Sequence, residues 1–386
     1  MTSKFVKLRL GIKKNKFDGL LIKLPNVNKT EMITTKNRFA AAPVLLSRAN
    51  IKSKKISYIF INSGNANACT GKQGKNNALK ILSTLSKKLG CPHNEILIMS
   101  TGIIGQQLPI DRIIKSITSF DNNDYTSLRE AASAIMTTDK FPKYITKTYR
   151  IGNKKFFFRG ICKGAGMIEP NMATMLGFIE TNVTLTKPYL RKCLRHCSNL
   201  SFNSISVDGD TSTNDTVVFS SCNEIKLDLQ KKSIEEKFLS FAADFFIRLS
   251  SLIVKDGEGS TKIIKLCVRN SKTLSLAQQI SKKVSNSLLV KTAMFGEDPN
   301  WGRIIASLGS IDSNYINPNN IRLSINNILC FRDGISFHRN MVKLKKSMRK
   351  SSIEIVIDLK NGKQNQTMYF SDLSYEYVRI NSEYTS

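Results

Sequence analysis

The stretch with the densest chemical signal is KGAGMIEPNMATMLGFIETN, residues 163–182. Gly160, Gly164 and Gly166 precede Pro170, and Thr174 then heads an apolar run. Glycine reaches backbone angles that other residues resist, so such a loop can hold a peptide bond in a strained form. Two readings of Thr174 follow. In one it packs against or caps the strand or helix that begins there. In the other it is a nucleophile whose own α-amine serves as base, which requires the chain to break before it. A free α-amine titrates at about 7.7–8.0 and accepts a proton near neutral pH. The Thr174 hydroxyl would then attack the Ala173 carbonyl, and hydrolysis of the ester would free the new terminus. Other nucleophiles lack partners. His93 follows a proline, His196 and His338 each adjoin an arginine, and there is no G-x-S-x-G elbow. Cys162 adjoins the loop without a histidine to activate it. KGAGM lacks the Gly-Lys-Ser/Thr ending of a phosphate loop. Cys193, His196 and Cys197 could share a helical face, but no second Cys/His cluster completes a zinc site, so no metal is expected.

The elements that must position these residues alternate between strand and helix. ISYIFINSGNANACTG (56–71) reads as a strand over 56–61 followed by a loop of small residues. Apolar residues at 78, 79, 82, 85 and 89 predict a helix ended by Gly90. A second strand is expected over 95–99, opening into Ser100-Thr101-Gly102. Farther on, SNSLLVKTAM (285–294) and SSIEIVIDL (351–359) read as strands and SLAQQISKKVS (275–285) as a helix. The pattern is that of an α/β protein. Loops rich in Gly, Asn, Thr and Asp recur after strong strands: NSGNANACTG, STGIIG, SVDGDTSTNDT, KDGEGSTK and FGEDPNWGR. Together they suggest a site lined by backbone amides and short side chains.

A chain of 386 residues exceeds the usual single core, so two packed α/β lobes are expected. No uncharged apolar run is long enough for a membrane span. The basic start MTSKFVKLRLGIKKNK could pass as a weak import peptide, but a folded pattern begins almost at once, at Gly11. Eight cysteines without framework spacing fit reduced thiols, and the expected compartment is the cytoplasm. The net charge of +30 raises a nucleic-acid role. Its lysines, however, spread along the whole chain, and the densest run, KLKKSMRK, holds no aromatic. A positive field that gathers small anions explains the charge more simply.

KGAGMIEPNMATMLGFIETN closely resembles the self-cleavage motif of the arginine-biosynthetic ornithine acetyltransferases, also called glutamate N-acetyltransferases. TTKNRFAAAPV, NSGNANACTG, STGIIG, IMTTDKFPK, SVDGDTSTNDT, KDGEGSTK, KTAMFGEDPNWGRI and YVRINSEYTS resemble further family segments in family order, covering nearly the whole chain. The resemblance implies two α/β lobes with mixed sheets covered by helices. It also implies cleavage into residues 1–173 and 174–386, with a C-terminal lobe from about 285 closing the substrate pocket.

By the same resemblance Thr174 is the nucleophile, and Thr101 and Gly102 form the oxyanion hole. Lys163, one of Thr137 or Thr138, Glu258, Asn381 and Ser386 contact substrate, with Glu258 holding the α-ammonium group. The implied reaction moves an acetyl group from N-acetylornithine to glutamate through an ester on Thr174. No cofactor is needed, and acetyl-CoA as a second donor is left open. The implied assembly is two copies of each fragment, without nucleic acid or membrane. Ser63, Asn65 and Glu169 depart from residues common among relatives, which bears on rate and specificity rather than on reaction type. The rival readings are a self-processing aminopeptidase of related fold and a basic nucleic-acid-binding protein.

Overall fold

Period-two burial along short strands and a three-to-four-residue period along the intervening helices build this chain into layers. The computed structural model describes residues 2–169 and 175–383. Two units are distinguished. One takes the chain up to Asn203 together with Asp210–Ile253, and the other takes Ser204–Gly209 and Val254–Tyr384.

The first unit carries two sheets. One orders β1 (Lys4–Leu8), β2 (Gly19–Lys23), β4 (Tyr58–Asn65) and β5 (Ile96–Ile103), with β4 and β5 parallel. The other orders β3 (Lys29–Thr34), β10 (Thr216–Ile225), β8 (Leu176–Val183), β7 (Lys154–Lys163) and β6 (Lys143–Ile151). Leu20, Ile22, Ile59, Ile61, Leu97 and Met99 from the first sheet pack with Ile161, Leu176, Phe178 and Val218 from the second. Residues of opposite parity on the first sheet, Leu21, Phe60, Ile96 and Ile98, meet Ala78, Ile81, Leu82 and Leu85 of the helix Gly71–Leu89. On the far face of the second sheet, Phe156 and Phe158 meet Phe238, and Phe158 also meets Phe245, both rings of the helix Lys232–Lys255. The stack is helix, sheet, sheet, helix. It makes the α/β class concrete, with mixed sheets covered by helices.

The second unit holds one sheet, ordered β14 (Ile335–Ser336), β13 (Ile328–Arg332), β12 (Arg322–Ile325), β15 (Ser352–Asp358), β11 (Ile263–Ser271), β16 (Gln364–Ser371) and β9 (Ile205–Ser206). Ile264, Leu266, Val268, Ile353, Ile355 and Ile357 pack with Ile280 and Val284 of the helix Leu274–Ser285 and with Ile304 and Leu308 of the helix Trp301–Gly309.

Three sequence expectations need adjusting. SNSLLVKTAM forms a helix, Leu288–Phe295, not a strand. The Ser287 hydroxyl caps it by accepting the Val290 amide, and the buried residues Val290, Ala293 and Met294 follow helical spacing while Leu288 and Leu289 stay exposed. The strand expected over 56–61 runs on to Asn65, and the one over 95–99 runs on to Ile103, because the two continue side by side with Ser63 opposite Thr101 and Gly64 opposite Gly102. The helix expected from 78 starts earlier, at Gly71, and ends at Gly90 in the left-handed conformation as expected.

Glu180 on β8 is fully buried and gathers the N-terminal segment. It accepts from the Ser3 hydroxyl at 2.5 Å, the Ser3 amide at 3.2 Å and the Cys222 thiol at 3.2 Å, and it pairs with Arg159 opposite it on β7. Removing Glu180 leaves the half-buried Arg159 charge without its counter-ion and the Ser3 and Cys222 donors without their acceptor. Glu180→Ala is therefore expected to lower stability by about 3 kcal/mol in urea unfolding. An unchanged midpoint would show that the pair contributes nothing.

Candidate active site

The parallel run of β4 beside β5 places the candidate oxyanion residues. Gly102 sits at φ 132° opposite Gly64 at φ 103°. A β-carbon on Gly102 would lie 2.2 Å from the Gly64 carbonyl carbon and 2.4 Å from the Asn65 nitrogen. Only glycine permits this backbone contact. Thr101 beside it is buried, and its hydroxyl oxygen accepts from the Lys163 ammonium at 3.0 Å. Because Lys163 donates to the oxygen, the Thr101 hydroxyl keeps its own proton for another acceptor.

Lys163 ends β7 and lies opposite Leu176, the first residue of β8. This register brings the strand that follows the glycine-rich loop alongside the lysine. Both Thr101 and Lys163 are only 3% exposed, so they form a charged, water-poor cluster. Asp139 organises it. Its Oδ1 accepts from the Lys143 ammonium at 2.5 Å and the Gly164 amide at 2.8 Å, and its Oδ2 from the Thr137 amide at 2.8 Å. Burial alone would raise the Asp139 carboxyl, but Lys163, Lys143 and the Gly164 amide outweigh it and hold the group well below the usual carboxylate range.

Lys13 completes the cluster from the turn between β1 and β2. Its ammonium donates to the Ser63 hydroxyl at 2.7 Å and the Met136 carbonyl at 2.5 Å. Burial first, and Lys163 second, push its pKa down to about 8. The turn itself hangs on the fully buried Asp18, which accepts the amides of Leu10, Ile12 and Lys13.

The loop between Asp210 and β10 closes the arrangement. Asn214 donates to the Ala66 carbonyl at 2.6 Å and to the Ser100 carbonyl at 2.9 Å, just ahead of Thr101. Asp215 accepts the Met175 amide at 2.8 Å, and the Thr216 amide donates to the Met175 carbonyl at 3.1 Å.

In the second unit, Glu258 is buried and accepts from the Asn381 amide group at 2.9 Å. Gly259, at φ 67°, sets its backbone against the start of the helix Tyr375–Glu383: a β-carbon there would lie 2.3 Å from the Tyr377 nitrogen. Ser374 donates to the Gly259 carbonyl at 2.6 Å.

The structure thus brings together Thr101, Gly102, Lys163 and Thr137 in one unit and Glu258 with Asn381 in the other. Thr138 is half-buried beside Thr137. Ala173, Thr174 and Ser386 lie outside the described residues. Cys193 and Cys197 face the core with their sulfurs 3.9 Å apart while His196 is exposed, so the helix splits that trio between two faces. Lys13, Asp139, Asn214 and Asp215 escaped the sequence reading. Asp139 and the Asn-Asp pair sat inside motifs already noted, MTTDK and TSTNDT, whereas nothing singled out Lys13 among so many lysines.

The ArgJ family model matches residues 4–386. The chain belongs to the ArgJ family. It is 40% identical to the mitochondrial arginine biosynthesis bifunctional protein ArgJ of Dictyostelium discoideum, over 97% of this chain and 90% of that one. The arginine biosynthesis bifunctional protein ArgJ of Geobacter sulfurreducens is 38% identical over 91% of this chain and 90% of its own. Among solved structures, arginine biosynthesis bifunctional protein ArgJ from Bacillus halodurans matches with a TM-score of 0.50 and 30% identity, covering 53% of this chain and 96% of that one.

A lysine whose pKa is lowered on folding binds fewer protons in the folded than in the unfolded chain. Between about pH 8 and the ordinary lysine value, Lys13 therefore makes stability rise with pH. Lys13→Met should remove this part of the slope, on the order of 1–2 kcal/mol across that window once solvent screening of the half-buried group is allowed for. Unfolding curves of both chains at pH 8 and pH 10 check it, and parallel slopes would contradict the assignment.

Proposed function

We propose that this chain moves the acetyl group of N2-acetyl-L-ornithine to L-glutamate, through an ester on Thr174 formed after the chain cuts itself between Ala173 and Thr174. The observation that carries the reading is the junction of three features in one unit. These are the Thr101–Gly102 end of β5 held backbone to backbone against Gly64, the Lys163 ammonium on Thr101, and the register of Lys163 with the strand that follows Thr174. Membership of the ArgJ family gives the substrate class. Self-cleavage has separate support. The solved Bacillus halodurans chain matches about half of this chain with nearly all of its own length, as a fragment of a chain cut near its middle would.

In the first half-reaction the Thr174 hydroxyl attacks the acetyl carbonyl and passes its proton to the Thr174 α-amine. The carbonyl oxygen takes up negative charge and is met by the Thr101 hydroxyl and the Gly102 amide. Such a donor is worth about 2.7–4 kcal/mol in the transition state. The carbon–nitrogen bond breaks, the departing amine takes the proton, and ornithine leaves the acetyl ester behind. Glutamate then attacks the ester through its amine, and the Thr174 oxygen recovers a proton as acetylglutamate departs. The roles of Thr137, Lys163, Glu258, Asn381 and Ser386 are to hold the substrate, with Glu258 on the α-ammonium group shared by ornithine and glutamate. Acetyl-CoA is proposed as a second donor, since the relatives are named bifunctional. Two copies of each fragment form the assembly, in the cytoplasm. Free thiols on all eight cysteines suit that reducing compartment.

Denaturing mass analysis of purified protein is expected to give residues 1–173 and 174–386 as separate chains. Thr174→Ala should stay whole and lose transfer activity by at least about 10³-fold; a split or active Thr174→Ala chain would reject the nucleophile. Gly102→Ala should lower kcat by about 10²–10³-fold, because the new methyl group pushes this end of β5 away from Gly64 and Asn65. Product analysis with glutamate and either acetylornithine or acetyl-CoA decides whether one donor or two are used.

A further inference from the structure

The α-amine that serves as base in acetyl transfer does not exist until the chain has broken. Before that it is the nitrogen of the Ala173–Thr174 peptide bond and cannot accept a proton. The first break therefore needs another group to carry the proton from the Thr174 hydroxyl to the departing nitrogen. All three histidines are exposed. Cys162 is taken by the Leu249 carbonyl on the far side of β7. Asp139 is held as an anion by its lysines.

Asp215 has what the step requires. Its side chain is 1% exposed, and Oδ1 accepts the Met175 amide at 2.8 Å. That nitrogen belongs to the residue that follows Thr174 in the chain, so Asp215 holds the backbone immediately after the proposed nucleophile. Oδ2 is buried and has no hydrogen-bond partner among the described residues. An unsatisfied buried oxygen costs about 1–3 kcal/mol, and such a group in a native fold calls for a reason. The main chain leaves the carboxyl little freedom: the Thr35 amide donates to the Asp215 carbonyl at 2.9 Å, and Asn214 is bound to the Ser100 and Ala66 carbonyls.

We infer that Asp215 is the proton-holding residue of self-cleavage, a neutral carboxyl that lends its proton to the departing Thr174 nitrogen and takes up the proton of the attacking hydroxyl. The bond from the Thr174 oxygen to the Ala173 carbonyl carbon forms, the bond from that carbon to the Thr174 nitrogen breaks, and the carboxyl ends as it began. Water then hydrolyses the ester. The inference rests on Thr174 being the nucleophile. Burial supports it by pushing the Asp215 carboxyl well up from its ordinary value, against the Met175 amide and the charge of Lys163. Among the described residues, Lys163 on β7 is the charged side chain that acts on Asp215, and Lys163 in turn acts on Lys13 and on Asp139, which Lys143 also holds.

The test follows splitting over time in chains made by cell-free translation and shifted to buffers between pH 6 and pH 9, with Thr174→Ala alongside. Asp215→Asn keeps the size and the acceptor for the Met175 amide and exchanges one neutral group for another, but it cannot pass a proton. It should split at least about 100-fold more slowly than the parent. Asp215→Glu should recover part of the rate. The parent's rate should fall as pH rises through the carboxyl's folded value, and Asp215→Asn should lack that fall. Asp215→Asn splitting at the parent's rate overturns the inference, as do Asn and Glu variants equally slow. If the variants do not melt as folded proteins, the parent's profile decides, and a rate that climbs steadily with pH overturns it. A parent chain that never splits instead overturns the reading of Thr174.

Discussion

Asn214 and Asp215 join two stretches of chain that the reaction must hold in register. One binds the carbonyl of Ser100, the residue before the proposed oxyanion pair, and the other binds the amide of Met175, the residue after the proposed nucleophile. Both bonds leave adjacent residues of one short loop, so a shift in one partner drags the other. The donors of an oxyanion hole must lie about 2.7–3.1 Å from the developing charge, a window only a few tenths of an ångström wide. Buried hydrogen bonds from a single loop are a direct way to keep that tolerance across so long a sequence separation.

Around this hinge point the structure concentrates charge where water is scarce. Lys143 pairs with Asp139, the charges of Lys163 and Lys13 act on it, and each of Asp139 and Asp18 is spent on amides or ammonium groups. An anionic substrate or an oxyanion entering here would find ammonium groups that the carboxylates have oriented without fully neutralising. The low local dielectric strengthens every such interaction and makes any unpaired group costly. The same economy explains why Thr101 accepts from Lys163: the lysine fixes the hydroxyl and leaves its proton to donate. The diffuse surface charge of +30 is a separate matter, a long-range attraction for anions rather than part of this geometry.

Glycine has a specific task at two places. Gly102 and Gly64 let two parallel strands touch backbone to backbone, and Gly259 lets the Glu258 loop lie against the helix that carries Asn381. In both cases the absent side chain positions its neighbour, Thr101 in one and Glu258 in the other. The small residues of NSGN therefore continue β4 rather than forming a loop, since a partner strand was waiting to pair with them.

The α/β class could be read from the chain alone, because glycine turns, capping residues and apolar spacing are local and leave a local record, and the family could be read from the resemblance of its motifs. Period-two runs over β15 and helical spacing over 78–89 are such records, and they held. Leu288–Phe295 misled because Leu-Leu-Val suits a strand as well as a buried helix, and only the neighbours that bury Val290, Ala293 and Met294 settle the period. Tertiary structure alone decided that Lys13 meets Ser63 and Met136, that Asp139 gathers Lys143 with Gly164, and that Asp215 grips Met175. Each of these is a partnership between distant residues of common type, fixed by how strands cross and pair, and no spacing along the chain encodes it.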